Sequence, residues 1–172
     1  MTRPEEEHYT TLCGSQEALF QTCARADTCG YTINRKAEEC LEKADLLLYD
    51  IKIFDSDKHK EYTGADNSVI LKNFQHLADM GKPVIVRVPI VPKYTNSIDN
   101  IVSIAKFLSP MKNILRIDIL PYVKYGSVKY EYLNRDYALK EIEQPTSEYM
   151  EDLKAFLEKI IPSIKINVGG VA

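Results

Sequence analysis

The chain has 172 residues, enough for one domain with a sizeable core. Its 45% hydrophobic and 27% charged content describes an ordinary globular protein, and a net charge of −3 excludes the basic footprint that nucleic acid or an anionic membrane would need. No apolar run approaches the roughly 20 residues that span a bilayer, and the acidic start MTRPEEEHYTT lacks the apolar stretch of a signal peptide, so the expected location is cytoplasmic.

Residues 1–21 read as an irregular segment and 22–172 as a single domain of alternating strand-like and helix-like stretches. The first strand lies in TCARAD and closes on Asp27 and Thr28. Asn34 then caps a helix to about Lys43, with Ile33, Ala37, Cys40, Leu41 and Ala44 at helical spacing. DLLLYDIK is a second strand, followed by a polar loop or single helical turn in DSDKHKEYTG. A helix starts at Asn67 or Ser68, turns Ile70, Leu71, Phe74, Leu77 and Ala78 inward, and stops at Gly81. KPVIVRVPIVP is a β-branched strand bounded by prolines. Asn96 caps the next helix, with Asp99 in a capping-box-like place and Ile98, Ile101, Val102, Ala105 and Leu108 as its apolar stripe. NILRIDILP is a strand, Tyr122 to Pro145 a long polar loop rich in tyrosine, Ser147 to Ile161 a helix, and SIKINVGG a closing strand. Strands separated by helices of this length imply βαβ units and a parallel sheet. With right-handed crossovers, the fold class is α/β: an open or partial (β/α) barrel of four to five parallel strands with helices outside.

Charges gather where such folds do chemistry, at the carboxyl ends of the strands. In ADLLLYDIK, Leu46, Leu48, Asp50 and Lys52 share one face, and Leu47, Tyr49 and Ile51 share the other. Arg87 falls late in VIVRVPIV, Asp27 and Thr28 end the first strand, and Asp118 interrupts LRIDIL. Asp27, Asp50, Lys52 and Arg87 together suit a zwitterionic ligand, with cations for its carboxylate and an anion for its ammonium. Cys13, Cys23, Cys29 and Cys40 are separated by nine, five and ten residues, which matches no zinc or iron–sulfur spacing. His8, His59 and His76 form no cluster in sequence.

In order, ADTCGYT, ADLLLYDIK, HKEYTGADNSVILKNFQHL, VIVRVPIVPKYT, NILRIDILPYVKYG and PTSEYMEDLKAFLE resemble the glycyl-radical enzyme activating enzymes of the pyruvate formate-lyase activating type. These are radical S-adenosylmethionine proteins on a partial (β/α)6 barrel, and the resemblance runs from about Thr22 to Gly170. It implies that Asp27 and Lys52 meet the methionine moiety of S-adenosylmethionine and that Arg87 lies near the same ligand and the substrate peptide. It also implies a monovalent-cation site at Asp27, Thr28 and Asp50. The implied activity is cleavage of S-adenosylmethionine to a 5′-deoxyadenosyl radical, which abstracts hydrogen from a glycine of a partner such as pyruvate formate-lyase.

Two departures stand out. The chain has no CxxxCxxC loop to ligate the family's [4Fe–4S] cluster, and Val123 in LPYVKYG replaces a histidine common in the family. CGSQEALFQ, Cys13 to Gln21, faintly resembles the family's SGGEPLLQ element. The chain is therefore read as a C-terminal portion without its first βα units, inactive alone, with an exposed barrel edge open to a homodimer or to a separate N-terminal fragment. Two alternatives stand beside this reading: a non-catalytic protein-binding half barrel, and a barrel fragment using Lys52 as a Schiff-base lysine with NVGG binding phosphate.

Overall fold

A computed structural model describes residues 23–124 and 139–170. Within them the elements are β1 (Arg25–Thr28), α1 (Arg35–Lys43), β2 (Leu46–Asp50), α2 (Ser56–Thr63), α3 (Ser68–Asp79), β3 (Val84–Ile90), α4 (Ile98–Leu108), β4 (Ile114–Pro121), α5 (Ser147–Ile160) and β5 (Ile166–Val168). The five strands form one parallel sheet in the order β1-β2-β3-β4-β5, and among the described residues it does not close. This is the expected α/β architecture of a partial barrel. The segment 1–21 and most of the tyrosine-rich stretch, from 125 to 138, lie outside the described residues. No helix among the described residues is long and apolar enough to cross a membrane.

The deep core sits between sheet and helices. Leu47, Tyr49 and Ile51 from β2 and its extension join Val84, Val86, Val88 and Ile90 from β3 and Ile117 and Ile119 from β4. Against them pack Phe74 and Leu77 of α3, Ile101, Ile104 and Leu108 of α4, and Met150, Leu153 and Leu157 of α5. Tyr49 meets Phe74 edge to face, with ring centroids 4.9 Å apart, an arrangement the ring quadrupoles favour. The opposite sheet face, the inner face of the partial barrel, is only half covered: Leu46 and Leu48, which share it with Asp50, are partly exposed there. Burial therefore alternates strictly along β2, as a period of two requires.

Several local expectations change. DSDKHKEYTG is an eight-residue helix, α2, capped by Asp55, whose side chain accepts from the Lys58 N–H at 2.9 Å, and closed by Gly64 at φ 87°. It buries only His59, so its sequence carries no apolar stripe to reveal it. The His59 ring is held by the Ala65 carbonyl at 2.7 Å and by the Thr63 hydroxyl at 3.0 Å, a structural role. Ser97 rather than Asn96 caps α4, accepting from the Asn100 N–H at 3.3 Å. Asn96 is engaged one turn earlier, accepting from the N–H of Lys93, whose φ is 72°.

Two of the expected stripe residues are exposed. Ile33, which lies before α1, is 88% accessible, and Ile98, the first residue of α4, is 53% accessible. Helix α1 has no fully buried residue. Its half-buried Leu41 packs on the core, and polar contacts tie the region to α3: Asn73 donates to the Gly30 and Thr32 carbonyls in the turn before α1, each at 2.8 Å, and Glu42 of α1 meets His76 at 3.0 Å.

Candidate functional site

Parallel register carries the charged residues into one row. Asp50 pairs with Arg87 across β2 and β3, Arg87 with Asp118 across β3 and β4, and Asp118 with Asn167 across β4 and β5. Residues at matched positions in a sheet share a face, so these four line the half-covered side, and Asp27 reaches the row from β1. Asp27 and Asp50 stand at the carboxyl ends of β1 and β2, where α/β folds place ligands, whereas Arg87, expected late in its strand, is the central residue of β3 and reaches them through its long side chain.

Arg87 organises the near half of the row. Its Nε donates to Asp50 Oδ1 at 2.7 Å, Nη1 donates to Asp27 Oδ2 at 2.8 Å, and Nη2 donates to Asp27 Oδ1. Lys52 stands on the far side of Asp50, Nζ to Oδ2 at 3.7 Å. Burial works against the charge on Arg87, but the hydrogen bonds and charges of Asp27 and Asp50 outweigh it and hold the guanidinium above its ordinary pKa. Two acids and two bases balance, and the planar fork suits a carboxylate that it can grip at two points. The Asp27 side chain is 59% exposed whereas Asp50 is 24% exposed, so the Arg87–Asp27 contact is the one open to solvent.

Asp27, Asp50, Lys52 and Arg87 are thus brought together. Thr28 is not part of that contact set, because its hydroxyl accepts from the Gly30 N–H at 2.9 Å within the β1–α1 turn. Val123 lies past the end of β4 and is exposed. The far half of the row is a second ion pair that the charge pattern only hinted at. Asp118, 1% exposed, accepts from Arg116 Nε at 2.8 Å and Nη2 at 3.2 Å.

The turn that presents Asp27 rests on Tyr49. This side chain is fully buried and donates from its hydroxyl to the Ile70 carbonyl at 2.7 Å. Burial pushes the hydroxyl far above its ordinary pKa, with the neighbouring Cys29 thiol adding to the effect, so it remains a donor. Gly30, at φ 69°, lies directly against the phenol oxygen. In sequence DTCG gives the glycine but not its reason.

Sequence reasoning also missed Asn67 and Asn100, two buried amides beside the backbone of Lys52. The available signal was positional: Asn100, Ile104 and Leu108 fall at i, i+4 and i+8 on the buried side of α4, where an amide needs a reason.

The residues also discriminate between the two cofactors the resemblance implies. An exposed carboxylate, Asp27, paired with Arg87, and a second cation, Lys52, on the neighbouring Asp50 fit the methionine end of S-adenosylmethionine. The iron–sulfur cluster does not fit, because among the described residues no three His, Cys, Asp or Glu side chains come together to hold a metal.

No protein-family profile matches the chain. Individual relatives do. The trans-4-hydroxy-L-proline dehydratase activating enzyme of Clostridioides difficile is 36% identical over 134 residues, covering 77% of this chain and 44% of the relative. The pyruvate formate-lyase-activating enzyme of Streptococcus mutans is 33% identical over 137 residues, covering 76% and 52%. The chain thus spans about half the length of the curated relatives it matches. Among solved structures, a domain of pyruvate-formate lyase-activating enzyme from Bacteroides vulgatus shares the fold, with a TM-score of 0.66 at 22% identity over 85% of this chain and 80% of that one. SuiB of Streptococcus suis, solved with S-adenosylmethionine, gives a TM-score of 0.61 at 15% identity over 86% and 31%. The chain is a homologue of the glycyl-radical enzyme activating enzymes, matching them over about half of their length and sharing its fold with radical S-adenosylmethionine proteins.

Proposed function

We propose that this chain provides the S-adenosylmethionine-facing and partner-facing half of a glycyl-radical activating enzyme, its C-terminal portion. The observation that carries the reading is Arg87 held between Asp27 and Asp50, with Lys52 alongside, at the carboxyl ends of β1 and β2 in a parallel sheet. Asp27 receives the ligand's ammonium, while Arg87 and Lys52 receive its carboxylate. An amino-acid zwitterion entering between Asp27 and Arg87 replaces one exposed ion pair with two, so charge stays balanced throughout. In the family, S-adenosylmethionine supplies the deoxyadenosyl group that removes hydrogen from a glycine of the partner enzyme. No radical step is assigned to these residues, because the cluster does not fit them. We read the chain as inactive by itself, with pyruvate formate-lyase or a similar glycyl-radical enzyme as the partner of the complete activity. A monovalent cation held by Asp27, Thr28 and Asp50 is a further element of the proposal, and it requires the Arg87 guanidinium to leave its present place.

Calorimetric titration of the purified chain with S-adenosylmethionine tests the reading. Saturable binding is expected, weakened about tenfold or more by Arg87→Met and by Asp27→Asn, the scale of a lost charged hydrogen bond. Absence of binding, or binding indifferent to both substitutions, would overturn it. The non-catalytic alternative draws on the edge of β1, which has no strand partner among the described residues, next to exposed Tyr31 and Ile33. It predicts capture of a protein partner with no response to S-adenosylmethionine.

A further inference from the structure

Lys52 lies beyond the last residue of β2, on the connection to α2, where a chain ordinarily gains freedom. Here the backbone around it is held at five points, the Ile51 and Phe54 N–H groups and the Lys52, Ile53 and Phe54 carbonyls. The Ile51 N–H donates to the Arg87 carbonyl at 3.0 Å, extending the β2–β3 pairing by one step. Asn100 Nδ2 donates to the Lys52 carbonyl at 3.0 Å and to the Thr95 carbonyl at 2.9 Å, while its Oδ1 accepts from the Phe54 N–H at 2.8 Å. From the other side, Asn67 Nδ2 donates to the Ile53 carbonyl at 3.0 Å and to the Phe54 carbonyl at 2.7 Å.

Both amides are buried, Asn67 at 3% and Asn100 at 8% exposure. Asn67 stands at the N-cap of α3 yet makes no capping bond, its amide being turned to the connection instead. The first free N–H of that helix, on Ser68, is taken by Asp66 at 2.9 Å. An asparagine that forgoes the cap its position offers, and a second one set into an apolar helix stripe, converge on the same three residues: Asn67 with both donors, Asn100 with one donor and its acceptor, its other donor going to Thr95. Ile51 and Ile53 are buried to either side, so the alternation of the chain sends Lys52 the other way, toward Asp50.

We propose that Asn67 and Asn100 are positioning residues for Lys52, clamping residues 52–54 from α3 and α4 so that the ammonium stands at a fixed place beside Asp50. The proposal rests on the ligand reading above, in which Lys52 meets a carboxylate. It adds a specificity device: the site's one long, flexible cation is made directional by its backbone rather than by its side chain. Supporting shells of this kind are generally worth about tenfold or more in ligand affinity.

The test is a double-mutant cycle, with S-adenosylmethionine titrated calorimetrically into the wild type, Asn100→Ala, Lys52→Ala and the double variant. Asn100→Ala is expected to weaken binding about tenfold when Lys52 is present and less than about twofold when it is not. An equal factor in both backgrounds, or no weakening, overturns the proposal, because a merely structural amide would act regardless of Lys52. Asn67→Ala, which removes only two donors, is carried through the same cycle in case Asn100→Ala does not fold. If the wild type binds no S-adenosylmethionine, the ligand reading fails and the clamp is decided separately. The rate at which an amine-acylating reagent modifies Lys52, relative to exposed Lys58 and read by mass spectrometry, is expected to rise severalfold in either asparagine variant. An unchanged ratio overturns the clamp.

Discussion

Replacing Arg116 with methionine is expected to destabilise the fold by about 3 kcal/mol, the lower end of the range for breaking a buried ion pair. The Asp118 carboxylate is 1% exposed, and its hydrogen bonds among the described residues come from the Arg116 guanidinium. The Arg116 side chain is 27% exposed and carries its own charge at little cost. The loss therefore arises almost wholly from the anion left behind. Arg87 is the register neighbour of Asp118 but spends its donors on Asp27 and Asp50. Removing both charges, in Arg116→Met with Asp118→Leu, is expected to be far milder, since an apolar pair of similar volume carries no desolvation cost. For a chain of this size, about 3 kcal/mol corresponds to a melting point lowered by roughly 6–12 °C. Thermal unfolding followed by circular dichroism reads both variants. A single variant no less stable than the double one would show that the pair does not hold this part of the sheet.

The second large effect is expected at Gly30. A Cβ built there falls 1.6 Å from the Tyr49 phenol oxygen and 2.2 Å from Cζ, and the backbone has φ 69°, where L residues are strained. Tyr49 has nowhere to retreat: it is fully buried, bonded to the Ile70 carbonyl and seated against Phe74. Strain of about 1–2 kcal/mol and overpacking of about 1–3 kcal/mol place Gly30→Ala near 3 kcal/mol. Adding Tyr49→Phe removes the nearest atom but leaves Cζ in the way, so the double variant should recover only part of the loss. Urea denaturation of the three proteins checks this. Gly30→Ala within about 1 kcal/mol of wild type would mean that the turn after β1 is not packed on Tyr49 as described.

The parallel sheet was legible because β-branched runs alternate with amphipathic helical spacing, and both signals are set by short-range geometry. The convergence of Asp27, Asp50, Lys52 and Arg87 was legible for a related reason: charges late in adjacent parallel strands must meet if the strands pair in register. What the residues did not reveal depends on polar contacts that leave no periodicity, some local and some distant in the chain. Helix α2 is held by its caps and by His59 rather than by a stripe, so no periodicity marks it. Asn96 has the chemistry of a cap, but the turn at Lys93 claims it first. The clamp on residues 52–54 joins amides 14 and 48 positions away from the carbonyls of Ile53 and Lys52.

Helix α1 has no fully buried residue and, among the described residues, β1 pairs with β2 alone, yet β1 carries Asp27. An edge strand therefore delivers one jaw of the proposed site, while Lys52 and Arg87 stand on well-packed backbone. Edge order and ligand occupancy are then linked equilibria. A ligand that bridges Asp27 to Arg87 holds β1 onto the sheet, and any opening of β1 lowers apparent affinity by the fraction of time it is open. Amide hydrogens of β1 should exchange faster than those of β3 in the free protein, and slow in step with saturation. In that sense, recognition at this rim is also the last step of folding at its edge.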